Sequence, residues 1–458
     1  MSLKDTLLEK IAGRRIMCGV VGLGYVGLPL AVEKAKAGFR TIGFDVQPKK
    51  VELVNSGVNY IGDVCGEELS ALVRDGMLAA TNDFGFVRDA DFIAVCVPTP
   101  LDRHQQPDLR CVRDSVAQIA PRLRRGHVVV LESTTYPGTT QELVRPMLEE
   151  GSGLVCGKDF FLGFSPERVD PGNARYSTKN TPKVVGAIGD AAREVIAALY
   201  REVLEGEVHT VSSPAVAELA KLLENSYRNV NIALVNELAK LCERMGVSVW
   251  EVIDAAKTKP YGFQAFYPGP GPGGHCIPLD PYYLSWKARE YGFHVSMLEA
   301  ASAVNDSMAE YCAARAARLL SRRGKPLRGA RVLLLGVAYK QDVSDCRESP
   351  ALKLIELLRR EGAQASYHDP WVREITVGDE RLMSRELDEA LADADLVIVT
   401  TAHSNVDYER VAASAEIEFH GAGTAILDSA EETSRFAYVV RRGSVELLID
   451  GRLLDLLS

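Results

Sequence analysis

Cys276 has the surroundings of a thiol that could act as a nucleophile. It ends the segment Tyr267-Pro-Gly-Pro-Gly-Pro-Gly-Gly-His-Cys276 and stands just before Asp280-Pro281, which reads as the N-cap and first residue of a helix. A helix N-terminus attracts negative charge and so shifts a thiol toward thiolate. His275 beside it is a second reading as its base, although adjacent residues of an extended loop tend to point apart. Lys221 and Asn225 stand four apart on a predicted helix and share a face, where a cation and an amide together could hold a developing oxyanion. Glu167, in Phe164-Ser-Pro-Glu-Arg-Val169, follows a strand end, a place where carboxylates often face a cofactor crevice. Each has a plain alternative: Cys276 as a buried loop thiol, Lys221 as a solvated lysine, Asp280 as a helix cap.

A second set of residues points to a nucleotide. Gly22-Leu23-Gly24-Tyr25-Val26-Gly27 follows the apolar run 16–21 and opens an apolar helix, and Asp45 ends the next strand. The first glycine allows the tight turn, the second lets backbone approach a pyrophosphate, and the third permits close packing of helix on strand. A carboxylate at 45 can accept hydrogen bonds from a ribose and would repel a 2′-phosphate, so NAD is expected over NADP, a preference tempered by Lys49 and Lys50.

These residues need a scaffold, and the chain has material for one. Its 458 residues correspond to roughly three domains of about 150. With 47% hydrophobic and 25% charged residues it is an ordinary globular protein. A net charge of −9 gives no reason to expect nucleic acid or anionic lipid as partner. No apolar run reaches the length of a membrane span and residues 1–15 lack a signal-peptide core, so no membrane partner and a cytoplasmic location are expected. Nine scattered cysteines with no CxxC pair argue against a disulfide framework and against a zinc site.

Candidate strands at 16–21, 40–44, 91–97, 127–132, 160–165 and 183–187 alternate with helical segments, the pattern of a parallel sheet. Ser213-Pro214 then opens and Gly246 closes one helix of about 32 residues, or about 48 Å. After the glycine loop, helices are expected over 281–292 and 297–323, and strands over 330–335, 364–368 and 395–400. The expected architecture is α/β: two Rossmann-like doubly wound parallel-sheet domains, 1–212 and 325–458, joined by a central all-helical domain, 213–324, with a long bridging helix.

With these residues in place the chain resembles the UDP-glucose/GDP-mannose dehydrogenase family over roughly residues 14–440. The resemblance is carried by Val20-Val-Gly-Leu-Gly-Tyr-Val-Gly-Leu-Pro29, Cys96-Val-Pro-Thr-Pro100, Glu132-Ser-Thr-Thr135, Phe164-Ser-Pro-Glu167, Glu218-Leu-Ala-Lys221, Gly273-Gly-His-Cys276, and Tyr339-Lys340 with Arg347-Glu-Ser349. It implies an NAD-binding N-terminal half, UDP held by the C-terminal half, a homodimer or higher homo-oligomer through the central helices, and four-electron oxidation of the C6 alcohol of a nucleotide sugar. Carried over, Cys276 would attack the aldehyde, Lys221 and Asn225 would stabilise the oxyanion, and Asp280 with Glu167 would manage protons and water. Tyr25, Val26, Lys50, Val97, Thr99, Ser133, Thr134, Thr135 and Arg347 would lie near NAD. Glu167, Arg168, Val169, Lys221, Asn225, Lys340 and the loop 267–273, with Tyr267, Gly269, Gly271 and Gly273, would meet the sugar nucleotide.

Within the family, residues 258–271 and 276–284 look most like the branch acting on UDP-N-acetylglucosamine, and Pro260 falls where the UDP-glucose branch has an arginine. UDP-glucose and UDP-N-acetylmannosamine remain the alternative substrates, with Lys257 or Lys259 able to supply the missing cation. A two-electron dehydrogenase with a lysine base and no thiol, or a non-catalytic NAD-responsive binding protein, are the readings from other classes.

Overall fold

The computed structural model describes residues 2–458 except 171, 174, 275, 414–415, 418–435, 440–444, 450–451 and 457–458; for 413, 416–417, 436–439, 445–449 and 452–456 it describes the backbone alone. The chain divides into two compact units, Met1–Glu224 with Tyr282–His294, and Asn225–Pro281 with Val295–Ser458.

In the first unit, β1 (Cys18–Val21), β2 (Thr41–Phe44), β3 (Leu78–Thr81), β4 (Phe92–Val95), β5 (Val128–Leu131), β6 (Phe161–Phe164), β7 (Lys183–Ala187) and β8 (Val208–Val211) form one sheet in the order β3-β2-β1-β4-β5-β6-β7-β8. All residues of β1, β4, β5 and β6 are buried, as central strands covered by helices on both faces must be. Leu28, Leu30 and Ala31 of helix Gly27–Lys36 join Val195, Ile196 and Leu199 of helix Asp190–Val203 in one core. Val112 and Val116 of helix Arg110–Ile119 join Val144 and Leu148 in the other. Each buried Val, Leu or Ile side chain among them contributes about 1.5–3 kcal/mol by leaving water. The sheet is therefore doubly wound, as expected.

All six expected strands form, most of them a residue or two shorter. Two were not expected: β3 and β8 are the sheet's edges, half exposed, and so lack the apolar run that marks a central strand. The sheet is also not wholly parallel, because β7 runs antiparallel to β6. Among the described residues no helix lies between them to carry a crossover, which a parallel pair requires. Helix Leu3–Ala12, in a stretch that carried no sequence signal, is capped reciprocally by Ser2 and Asp5 and buries Leu7 and Ile11 in the first core.

The long helix Pro214–Met245 forms as expected. The Val216 amide donates to Ser213 Oγ at 3.4 Å, and Gly246 at φ 69° ends the helix. Its first turns belong to the first unit, where Ala217 and Leu222 enter a core with Tyr283. In the second unit, Ser248 caps a further helix, Val249–Lys257, that was not expected. The single helix expected over 297–323 is two, Ser296–Asp306 and Met308–Arg322. They break at Ser307, whose hydroxyl donates to Val304 O at 2.7 Å and so competes with the helical backbone.

The second sheet comprises β9 (Arg331–Leu335), β10 (Gln364–His368), β13 (Leu396–Val399), β14 (Glu416–Ile417) and β15 (Phe436–Val439), in the order β10-β9-β13-β15-β14 and parallel throughout. Hairpins β11 (Glu374–Val377) with β12 (Glu380–Met383), and β16 (Val445–Ile449) with β17 (Arg452–Leu456), stand apart from it. Successive residues of β9 serve opposite faces: Val332 and Leu334 meet helices Pro350–Arg360 and Met308–Arg322, while Leu333 and Leu335 meet Ala390, Leu391 and Val411.

Candidate active site

The glycine turn between β1 and helix Gly27–Lys36 has the geometry its sequence demands. Gly22 sits at φ 90°, and a Cβ there would come 2.4 Å from Cys96 O. A Cβ on Gly27 would come 1.8 Å from Gly22 O, whereas one on Gly24 would meet nothing within 4 Å. The third glycine thus closes the turn and the second leaves room in front of it. The turn is held by Tyr60, whose hydroxyl donates to Leu23 O at 2.7 Å. Val26 supplies no side-chain cap to the helix that follows, and Tyr25 is exposed.

Asp45 is buried at the end of β2. Its Oδ2 accepts from the Leu23 amide at 2.9 Å and from Lys50 Nζ at 3.5 Å, and its Oδ1 accepts from the Gln47 amide at 2.9 Å. Three donors on about four lone-pair sites leave capacity for a ribose hydroxyl. At the neighbouring strand ends, Ser133 Oγ receives the Val97 amide at 2.9 Å and donates to Val97 O at 2.7 Å, and Thr99 Oγ1 donates to Thr134 O at 2.7 Å. Thr135 Oγ1 is buried without a partner among the described residues, the condition of a polar atom that a ligand could satisfy. The open Gly24, the spare capacity of Asp45 and the orphaned Thr135 hydroxyl fit a dinucleotide.

The second unit offers an instructive contrast. Gly336, at φ 80°, opens a similar turn after β9, and Asp369 follows β10 as Asp45 follows β2. Asp369 is saturated, however: Oδ2 accepts from Val337 N at 2.7 Å, Ala338 N at 3.1 Å and His403 Nε2 at 3.0 Å, and Oδ1 from Trp371 N and Val372 N. Burial pushes its carboxyl up, but His403 and these amides outweigh burial and hold it below the ordinary range. Five donors leave nothing for a ribose diol, so of the two carboxylates only Asp45 retains room for one.

Also in the first unit, Glu218 anchors the long helix. It is fully buried; Oε2 accepts from the Gly138 amide at 2.6 Å, and Oε1 from the amide and hydroxyl of Thr140 at 2.9 and 2.7 Å. Lys221 follows one turn later and is only 8% exposed, which rules out the plain reading of a solvated lysine. Glu167 follows β6 and accepts on Oε1 from the amides of Arg168 at 2.8 Å and Val169 at 2.9 Å. Its carboxyl is pushed up by burial but held down overall by Lys183, by those two amides and by Lys221, so the structure brings Glu167 and Lys221 into one field. The Arg168 guanidinium pairs with Glu224 at 2.7 Å and donates to Pro182 O at 2.9 Å.

In the second unit, Asn225 and Asp280 are both buried, and Asn225 Nδ2 donates to Asp280 Oδ2 at 2.5 Å. Asp280 is the first residue of helix Asp280–Ala288 rather than the residue before it, and its amide donates to Cys276 O at 2.9 Å. Cys276 therefore opens the turn that leads into the helix, part exposed rather than buried, and His275 lies outside the described residues. The glycine loop is pinned from two sides. Asn236, fully buried, accepts from the Gly269 amide at 2.9 Å and donates to Asn305 at 2.9 Å; Asn305 in turn donates to Asn229 Oδ1 at 2.8 Å. A Cβ on Gly271 would come 3.2 Å from Asn305 O, and Cβ atoms on Gly273 and Gly274 would come 2.7 and 2.9 Å from the Tyr339 side chain. The Gly274 amide donates to Arg347 O at 3.3 Å, while the Arg347 guanidinium pairs with Asp345 at 2.6 Å. Tyr267 stacks on Trp250 with ring centroids 6.0 Å apart.

Sequence reasoning missed Lys183, Tyr200, Tyr60 and the asparagines at 229, 236 and 305. Lys183 carried a signal, a lysine opening an otherwise apolar strand, since buried lysines are rare without a partner. Asn229 and Asn236, seven apart on an amphipathic helix, carried another.

A doubly wound sheet, an open glycine turn and a carboxylate with spare capacity define the class, a dinucleotide-binding protein of the Rossmann type. More narrowly, the chain belongs to the UDP-glucose/GDP-mannose dehydrogenase family: that family's NAD binding, central and UDP binding domains match residues 16–204, 215–307 and 333–429. It is an NAD-dependent dehydrogenase. It is 39% identical to Protein CapL of Staphylococcus aureus, over 76% of this chain and 81% of that one. It is 38% identical to a UDP-N-acetyl-D-glucosamine 6-dehydrogenase of Pseudomonas aeruginosa, over 77% and 82%. Its fold is similar to the solved structure of a UDP-D-ManNAc dehydrogenase from Pyrococcus horikoshii, with a TM-score of 0.82 and 30% identity, covering 93% of this chain and 99% of that one. No helix among the described residues is long and apolar enough to cross a membrane.

Proposed function

We propose that this chain oxidises the C6 alcohol of a UDP-N-acetylhexosamine, first of all UDP-N-acetylglucosamine, to the carboxylate through a covalent intermediate on Cys276. The observation that carries the reading is the hydrogen bond from Asn225 to Asp280, because the same Asp280 donates its amide to Cys276 O. Asn225 and the turn of the thiol are thereby tied into one polar assembly within the second unit. Lys221 and Asn225 hold the C6 oxygen as it loses its proton and becomes the aldehyde oxygen. The Cys276 sulfur then bonds to the aldehyde carbon, giving a thiohemiacetal whose second oxidation yields a thioester. Water adds to the thioester carbon, Glu167 accepts its proton, and the carbon–sulfur bond breaks to return the thiolate, with Asp280 handling the remaining proton. NAD, when bound, would supply the hydride acceptor for each oxidation, so that one sugar, one water and two NAD give one carboxylate, two NADH and three protons.

In this reading residues 1–212 bind NAD, 213–324 supply the helical middle, and 325–458 hold UDP with Lys340 and the loop 267–273. The exposed Leu219, Leu223, Leu234, Leu238, Leu241 and Met245 form a stripe along the long helix, which supports a homodimer through that helix. The work is done in the cytoplasm, where thiols are kept reduced. UDP-N-acetylmannosamine is the second reading, supported by the similarity to the Pyrococcus horikoshii enzyme. The test is a panel of UDP-sugars scored for NADH formed per sugar, with intact-protein mass spectrometry of Cys276→Ser and Cys276→Ala. Two NADH per UDP-N-acetylglucosamine are expected from the parent, an ester-linked adduct on Cys276→Ser, and no second oxidation by Cys276→Ala. Two NADH per sugar from Cys276→Ala at the parental rate would overturn the covalent route, and preferential use of UDP-N-acetylmannosamine would exchange the two substrate readings.

A further inference from the structure

Lys183 opens β7 inside the first unit, yet only 6% of its side chain is exposed. Its ammonium lies 2.6 Å from Glu132 Oε2 and 3.4 Å from Glu167 Oε2, one cation between two carboxylates. Glu132, at the end of β5, is itself fully buried and accepts from the Tyr200 hydroxyl on its other oxygen. Tyr200 comes from helix Asp190–Val203, and Lys34, on helix Gly27–Lys36, is buried over the rings of Phe92 and Tyr200 at 4.9 and 4.8 Å. The charged and titratable groups facing Glu167 are thus Lys183 from β7 and Lys221 from the long helix, with Cys96 after β4 and Glu132 behind Lys183.

We infer that Lys183, clamped by Glu132 and Tyr200, is the positioning residue of Glu167, fixing its carboxylate for proton transfer from water. The inference rests on the proton-accepting role given to Glu167 above. Two amides occupy Oε1, so Oε2 is the oxygen left to take a proton, and among the described residues Lys183 is what meets it. A carboxylate can act as base only while ionised. Burial raises the Glu167 carboxyl, and Lys183 is the first of the groups that reverse this. Burial likewise lowers Lys183, but Glu132 and Glu167 outweigh it and keep the ammonium charged. Glu132 and Tyr200 do not touch Oε2; they hold the cation that does.

The test reads the step itself. Full-length protein turning over UDP-N-acetylglucosamine and NAD is acid-quenched from pH 8 down to about 3.5, below the ordinary carboxyl range, and intact mass reports the fraction carrying the acyl adduct on Cys276. Protonation of Glu167 blocks hydrolysis, so adduct should build up as pH falls. The informative variant is Lys183→Met with Glu132→Gln, which removes the cation from Glu167 without leaving the Glu132 carboxylate buried and unpaired. The nearer charge on Glu167 is then lost, so the pH at which adduct appears should rise by about one unit or more, while Lys183→Arg keeps the parental value. An unshifted onset in the double variant overturns the inference, and so does loss of its cooperative melt, which would make Lys183 a structural residue only. Glu167→Gln separates the two levels: adduct at every pH upholds the role of Glu167, whereas no adduct in it or in the parent overturns the cysteine route itself.

Discussion

Alanine at Gly24 and at Gly27 should give opposite phenotypes, although the two glycines belong to one six-residue turn. At Gly27 the added Cβ would stand 1.8 Å from Gly22 O, where real Cβ atoms essentially never come under 3.0 Å, so turn and helix must part by at least about 1.2 Å. The obstacle is backbone and cannot rotate away, and the helix that would move buries Leu28, Leu30 and Ala31. Overpacking of this kind costs about 3 kcal/mol, which lowers the melting temperature by roughly 6–12 °C in a domain of this size. At Gly24 nothing lies within 4 Å, so Gly24→Ala should melt as the parent does. Its methyl group instead fills the space through which a pyrophosphate reaches the turn. Loss of one charge-assisted hydrogen bond of about 1.5–3 kcal/mol weakens NAD by roughly ten- to a hundredfold. Calorimetric melts of the free proteins and isothermal titration with NAD measure the two effects separately. Parental NAD affinity in Gly24→Ala, or a parental melt in Gly27→Ala, would refute this account of the turn.

Further outcomes follow from the same contacts. Asp45→Ala should narrow the preference for NAD over NADP by about tenfold, since the charge that repels a 2′-phosphate and accepts the ribose is gone; equal efficiency with both cofactors in the parent would contradict it. Asn236→Ala leaves the Gly269 amide and the Asn305 carbonyl without their partner, at about 1–3 kcal/mol each. It should lower stability and raise the Michaelis constant for the UDP-sugar with little change for NAD, and equal changes in both constants would remove Asn236 from the support of the loop. Asp369, with its carboxyl held below the ordinary range, contributes stability that is present above its unfolded value of about 3.9 and is lost as pH falls through the folded value. Denaturant unfolding should therefore show Asp369→Asn well below the parent at pH 7, with the gap closing toward pH 3, and a gap independent of pH would show that the charge is not what stabilises.

Much of this protein is written in local patterns. The glycine turn, the carboxylate of Asp45 at the strand end, the long helix from Ser213 to Gly246 and the central strands depend on turn chemistry, caps and apolar runs, which act over a few residues and need no knowledge of the fold. The edge strands β3 and β8 escaped because their half-exposed residues carry no continuous apolar run, and the antiparallel β7 because strand direction is set by the connection rather than by the strand. Pairings between distant segments were beyond local reading altogether. Asn225 with Asp280, Asn236 with Gly269, and Lys183 between Glu132 and Glu167 join residues that sequence separates by 16 to 55 positions. The same holds for the difference between Asp45 and Asp369, two carboxylates at like places in like turns. Which of them keeps a lone pair for a ligand depends on how many donors the surrounding segments deliver to it, and only the folded chain sets that number.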